Sequence, residues 1–178
     1  RAYAADIARG KDGTINDDFY KDEVGERLSK AGLDRKILPL KKYHTIQQEN
    51  IKEILGAYKF LLDEIASLPS VKNGKKPQKR SFCSKYLHFH LPKLFFIYDS
   101  RVTSALQKLY SGGLKGFDDV LNDDVDKTYA LFFCKALVFK NEIEKKFNSE
   151  ITPRQIDNFL INEANGLLRN KGASHTVL

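Results

Sequence analysis

The stretch from Tyr129 to Phe139, reading YALFFCKALVF, is apolar on almost every face of a helix, and it lies within a longer helical pattern from Lys127 to Phe147. A surface helix carries one apolar stripe, so a helix apolar nearly all round has to be enclosed by other elements. The rest of the chain supplies them. From Thr45 to Leu68, the residues Ile51, Ile54, Leu55, Tyr58, Leu61, Leu62, Ile65 and Leu68 form one stripe, and Pro69 closes the segment. Thr152-Pro153-Arg154-Gln155 marks another helix start, with a cap, a first-turn proline and Gln at the capping-box position. Its expected buried face is Ile156, Phe159, Leu160, Ala164, Leu167 and Leu168. No strand-like alternation and no internal repeat interrupts this pattern. The expected fold is therefore all-α, a single globular domain of about six to eight helices. It spans residues 1–170, and 171–178 are expected to form a flexible tail.

Earlier in the chain, residues 1–9 suit a short helix that Gly10 and Gly13 break. Thr14-x-x-Asp17 opens a second, carrying Phe19, Tyr20, Val24 and Leu28 and ending near Gly32. Leu33 to Lys42, with Pro39, is expected to be a connector. The chain has no methionine and begins at Arg1, so the natural start is expected to lie upstream.

With 178 residues, 42% of them hydrophobic and 30% charged, the chain is long enough to bury a real core. No apolar run approaches the roughly 18 residues that span a bilayer, and no secretory signal is visible, so no membrane partner is expected. Cys83 and Cys134 lack CxxC spacing and read as reduced core thiols of a cytoplasmic protein. The spacing of His, Cys and carboxylates calls for no metal and no other cofactor. A net charge of +7 favours an anionic partner such as DNA.

The chemistry concentrates in Arg80 to Leu106, RSFCSKYLHFHLPKLFFIYDSRVTSAL. Ser81 to His90 reads as a helix with Phe82, Leu87 and Phe89 apolar and with Ser84, Lys85 and His88 on another face. Pro92 stops it. Leu94 to Ile97 is too short for a helix and reads as buried extended chain. Asp99 and Ser100 then stand where the helix of Val102, Leu106 and Leu109 begins, able to accept a backbone N–H. Asp99 has two readings, a plain N-cap or a rigidly held catalytic carboxylate; Lys85 is a surface lysine or, with a lowered pKa, a nucleophilic amine. His88 is a boundary histidine or a member of a pocket with Ser84 and Tyr98, whose ring is able to stack on a base. His88 and His90 diverge on a helix and cannot share a metal. The preceding loop, SVKNGKKPQKR, carries Lys72, Lys75, Lys76, Lys79 and Arg80, either as a solvated connector or as a phosphate-contacting loop, with Arg101 beyond it. Arg154 and Asp157 form either part of the same site or an exposed ion pair.

The order of lysine helix, turn, apolar segment ending Ile97-x-Asp99, then Arg101-Val102 on a new helix resembles the core of the helix-hairpin-helix DNA glycosylases, in the 8-oxoguanine glycosylase-like branch. The resemblance covers Arg80 to Leu106 alone. It implies that Lys85 attacks the sugar C1′ and that Asp99 stabilises the developing positive charge, with Ile97 at the apolar position two before it. The chain departs from the family in two places. The glycine-rich hairpin that should precede the lysine helix is replaced by Lys79-Arg80-Ser81-Phe82, and the interval from Lys85 to Asp99 is shorter. Two functions follow: a base-excision DNA N-glycosylase, a hydrolase acting on a flipped base, or a non-catalytic helical module that binds nucleic acid or a protein partner in defence or toxin neutralisation.

Overall fold

The computed structural model of the protein describes residues 24–68 and 79–173, with side chains as far as residue 166. The helices run α1 (Glu26–Ala31), α2 (Asp34–Ile37), α3 (Ile51–Ala66), α4 (Arg80–His90), α5 (Ser100–Leu109), α6 (Asp118–Asn122), α7 (Lys127–Phe147) and α8 (Pro153–Ala173). Short 3-10 turns cover Leu38–Lys42 and Gln48–Asn50. No strand occurs among the described residues, and the fold is all-α with eight α-helices in one compact region. None of the described helices is long and apolar enough to cross a membrane.

Local rules account for most boundaries. The first expected helix and the start of the second lie outside the described residues, but the second ends, as α1, where expected: Gly32 takes a left-handed φ of 72°, which the absence of a Cβ permits. The expected connector 33–42 is itself helical, made of α2 and a 3-10 turn. Leu33, Ile37 and Leu40 recur on its inner side and are buried, and Pro39 sits at the start of the turn where its missing N–H costs little. The long striped helix begins at Ile51 rather than Thr45. Buried Asn50 makes the start: its Oδ1 accepts the Gln47 N–H at 3.0 Å and its Nδ2 donates to the Thr45 carbonyl at 3.0 Å. Every residue of the expected stripe is buried.

Helix α7 is the enclosed element. Asp126 caps it by accepting the Tyr129 N–H at 2.8 Å. Tyr129, Ala130, Phe132, Phe133, Cys134, Ala136 and Leu137 are buried, while Leu131 faces outward. It meets α3 through the stacked rings of Tyr58 and Tyr129, whose centroids lie 3.6 Å apart. Helix α8 opens with the expected capping box: the Gln155 side chain accepts the Thr152 N–H at 2.8 Å, and the Gln155 N–H donates to the Thr152 hydroxyl at 3.3 Å. The most extensive helix–helix packing is between α8 and α5. Ile156, Leu160 and Ala164 are buried there as expected, whereas Phe159 is 42% exposed and Asp157 points inward. Leu167 and Leu168 lie where side chains are not described. The backbone of α8 stays helical through Ala173, three residues into the expected tail.

Candidate functional site

Helix α4 is fixed at its start by charge. The Arg80 guanidinium donates to both oxygens of Asp126, from Nε at 2.7 Å and from Nη2 at 2.8 Å, and Tyr58 donates its hydroxyl to the Arg80 carbonyl at 3.1 Å. One aspartate thus caps α7 and ties it to α4. A fork-to-fork pair of this kind is the strong form of ion pair. Arg80, an expected DNA contact, is paired with Asp126 in this way.

The face of α4 that turns inward differs from the expected one. Cys83, Ser84, Leu87 and His88 are buried; Phe82 is half-buried, and Phe89 is 81% exposed. The reason lies in the segment this face covers. Pro92 prevents the helix from continuing, so Leu94, Phe95, Phe96 and Ile97 enter the core without helical hydrogen bonds. Their backbone polar groups still need partners, because a buried unpaired N–H or C=O costs as much as a lost hydrogen bond. Side chains provide them. His88 donates Nδ1–H to the Phe95 carbonyl at 2.8 Å. Tyr129 donates its hydroxyl to the Phe96 carbonyl at 2.9 Å. The Tyr98 N–H donates to Ser84 Oγ at 2.9 Å, and Ser84 passes its own proton to the Ser81 carbonyl at 3.0 Å. The half-buried Tyr98 ring packs edge-on against Phe132, with centroids 5.2 Å apart.

This stitched segment delivers Asp99. It is the N-cap of α5: Oδ1 accepts the Arg101 N–H at 2.9 Å, and its carbonyl takes both the N–H and hydroxyl of Thr103. The Arg101 side chain approaches at 3.6 Å but is 59% exposed, a distance and exposure at which an ion pair contributes little. Lys85 is exposed on α4.

A third charged residue, whose role the sequence left open, feels the charge of both. Asp157, just past the first turn of α8, is only 3% exposed. Its Oδ2 accepts from Arg154 at 2.8 Å, but its buried Oδ1 has no hydrogen-bond partner. The exposed-ion-pair reading is corrected: the arginine is in solvent and the carboxylate is not. Burial pushes the Asp157 carboxyl above the ordinary aspartate range and the charge of Asp99 pushes it further, while Arg154, His88 and Lys85 pull it down. Lys85, His88, Asp99 and Asp157 therefore share one electrostatic neighbourhood, graded from solvent at Lys85 to core at Asp157.

Of the expected phosphate contacts, Lys72, Lys75 and Lys76 lie outside the described residues, and Lys79 is half-buried beside the start of α4. A cavity of about 530 Å³ at that end is lined by Lys59, Arg80 and Lys127 among others. Its cations are already engaged: Lys59 with Asp63 at 2.6 Å, Arg80 with Asp126, and Lys127 with the Asp123 carbonyl at 2.7 Å. Neither Lys85 nor Asp99 lines this cavity, the small cleft beside His44 and Thr152, or the apolar groove between α7 and α8. Both cysteines are buried and unpaired. Burial pushes the Cys134 thiol up to about 12 and the Cys83 thiol higher still, so neither is a nucleophile. Among the described residues no three His, Cys, Asp or Glu side chains are grouped to hold a metal ion.

No family model matches the chain, and no curated protein or solved structure shows significant similarity to it.

Proposed function

We propose that the chain is a DNA N-glycosylase-like enzyme that cleaves the glycosidic bond of a flipped base, with Asp99 as the carboxylate that stabilises the sugar cation and Lys85 as the attacking amine. One observation carries this reading. A lysine helix, a proline turn and a buried non-helical run end in an N-capping aspartate, and both Lys85 and Asp99 act on the same buried carboxyl, Asp157. The N-cap leaves Asp99 rigid and only partly exposed, as an electrostatic stabiliser requires. DNA fits the net charge of +7 and the exposed Lys85, Arg101 and Arg154 on this side.

The test is base release from duplexes bearing oxidised, alkylated or deaminated bases. Asp99→Asn keeps the capping oxygen and loses the charge, so it is expected to abolish release with fold and DNA affinity retained. Borohydride is expected to trap a covalent adduct that Lys85→Gln eliminates. Absence of release across the panel refutes the reading.

A non-catalytic module that binds a protein partner is favoured by a separate feature. An apolar groove of about 480 Å³, lined by Leu109, Phe139, Ile143, Phe147 and Phe159 among others, leaves Phe147 66% exposed.

A further inference from the structure

We propose that the apolar groove between α7 and α8 receives one amphipathic helix of a protein partner, with apolar side chains facing the groove and carboxylates along its flank. The inference rests on the protein-binding reading of this groove and names the chemistry of the partner; it is independent of base release. Its starting point is the stripe of α7 itself. Phe132, Ala136, Phe139, Ile143 and Phe147 recur at spacings of four, three, four and four, which places them on one helix face. Phe132 and Ala136 are buried, Phe139 and Ile143 are half-buried, and Phe147 is 66% exposed. The stripe therefore runs out of cover over the last turns of the helix. The cause is the placement of α8, which packs most extensively on α5 rather than on α7. A trough of about 480 Å³ is left, where Phe139 meets Phe159 with ring centroids 6.0 Å apart and Leu109 closes the α5 side.

Length and polar groups identify the occupant. At a rise of about 1.5 Å per residue the stripe from Phe139 to Phe147 spans about 12 Å, so a helix laid along it presents apolar residues over about two turns, at i, i+4 and i+7. Lys146 and Gln155 are the polar side chains that line the groove among the described residues, and both offer donors. The Lys146 ammonium lies over the Phe147 ring, 5.6 Å from its centroid, and forms no ion pair among the described residues. The Gln155 oxygen is occupied by the Thr152 N–H and hydroxyl, which leaves its amide NH₂. Lys108, next to Leu109, is exposed and equally without an ion pair among the described residues. The exposed Glu142 and Glu150 do not line the groove. A partner that brings acceptors and negative charge matches a rim of this kind. A second copy of the chain does not, because a two-fold contact between two such grooves sets the same donors and the same charge against each other.

The experiment uses the full chain and four synthetic helical peptides. Three carry leucine at i, i+4 and i+7 with flanks of Glu, Gln or Lys, and the fourth has Glu flanks and serine at the apolar positions. Calorimetric titration is expected to show one Glu-flanked leucine peptide bound per chain, about tenfold tighter than the Lys-flanked one at low salt, with the gap narrowing as salt rises. The serine peptide is expected not to bind. Phe147→Ser truncates a side chain that stands mostly in solvent, so it keeps the fold, and it is expected to weaken the Glu-flanked peptide by about tenfold. Lys146→Glu is expected to reverse the order of the Glu and Lys flanks. Equal affinity for all three flanks, weakened by Phe147→Ser, overturns the acidic partner and leaves the groove a docking surface. A concentration-dependent dimer in sedimentation that Phe147→Ser returns to monomer seats a second copy there and likewise overturns the proposal alone. No binding of any peptide by a monomeric chain, or binding that Phe147→Ser leaves unchanged, overturns both.

Discussion

Ser84→Ala removes a single oxygen, and its cost can be worked from the contacts. Ser84 is fully buried, and its Oγ is the acceptor for the Tyr98 N–H at 2.9 Å. Without it that amide sits at the core edge with no partner, a loss of about 1–3 kcal/mol. The Ser81 carbonyl also loses the Ser84 hydroxyl but lies within a helix, so its share is small. Alanine returns roughly 0.5 kcal/mol through its helix propensity, and the void is smaller than a methyl group. The net expectation is a destabilisation of about 1–2 kcal/mol, read as a lower urea midpoint with an unchanged m value. The Tyr98 amide is expected to lose hydrogen-exchange protection beyond the global change, because the lost bond is its own. Since Tyr98 precedes Asp99, base release is expected to fall as well, through loss of position rather than loss of charge. A change below about 0.5 kcal/mol with unaltered Tyr98 exchange would refute the claim that Ser84 anchors the segment.

Ile97→Ala is expected to cost about 2–5 kcal/mol in urea unfolding, since Ile97 is 6% exposed; under about 1 kcal/mol would mean that the apolar run is not core. Arg80→Ala is expected to cost about 2–4 kcal/mol because it strands the part-buried Asp126 carboxylate, and Asp126→Ala should cost more by also uncapping α7. The Asp157 carboxyl gives a signed pH dependence. Its folded pKa is raised, so between the ordinary aspartate value and that raised value the folded state holds a proton the unfolded chain has released. Stability from this group is complete below that window and declines as pH rises through it. Glu144, lowered by its bonds to Lys140 and the Ile151 N–H, has the opposite slope. The difference between the unmutated protein and Asp157→Asn in pH-dependent unfolding therefore isolates Asp157, and an identical slope in both would exclude the raised value.

Helix class and the main boundaries were legible because they depend on periodicity and caps. The stripe of α3, the limits of α7, the capping box of α8 and the N-cap at Asp99 all follow from residues a few positions apart. What depends on distant neighbours was not. The segment 33–42, expected as a connector, has its buried Leu33, Ile37 and Leu40 stabilising short helical turns. Phe159 was expected on the buried face and is 42% exposed, and apolar Phe89 faces solvent, while the nearby Asp157 and His88 are buried. The only sequence signal for Asp157 was its place next to Ile156 at the start of a well-capped helix, and that signal does not separate a buried carboxyl from an exposed one.

The inversion on α4 has a physical origin. A non-helical segment inside a helical core brings backbone donors and acceptors where no ladder can meet them, so the covering helix must offer polar side chains there. Ser84 and His88 occupy the inner face of α4 for that reason, and Phe89 is displaced outward by the same rotation. The position of Asp99 is consequently governed by short polar bonds, while the apolar contacts of Phe95 and Phe96 govern the stability of the whole. Small polar substitutions in α4 are then the ones that separate site geometry from folding, which apolar truncations in the same stretch would confound.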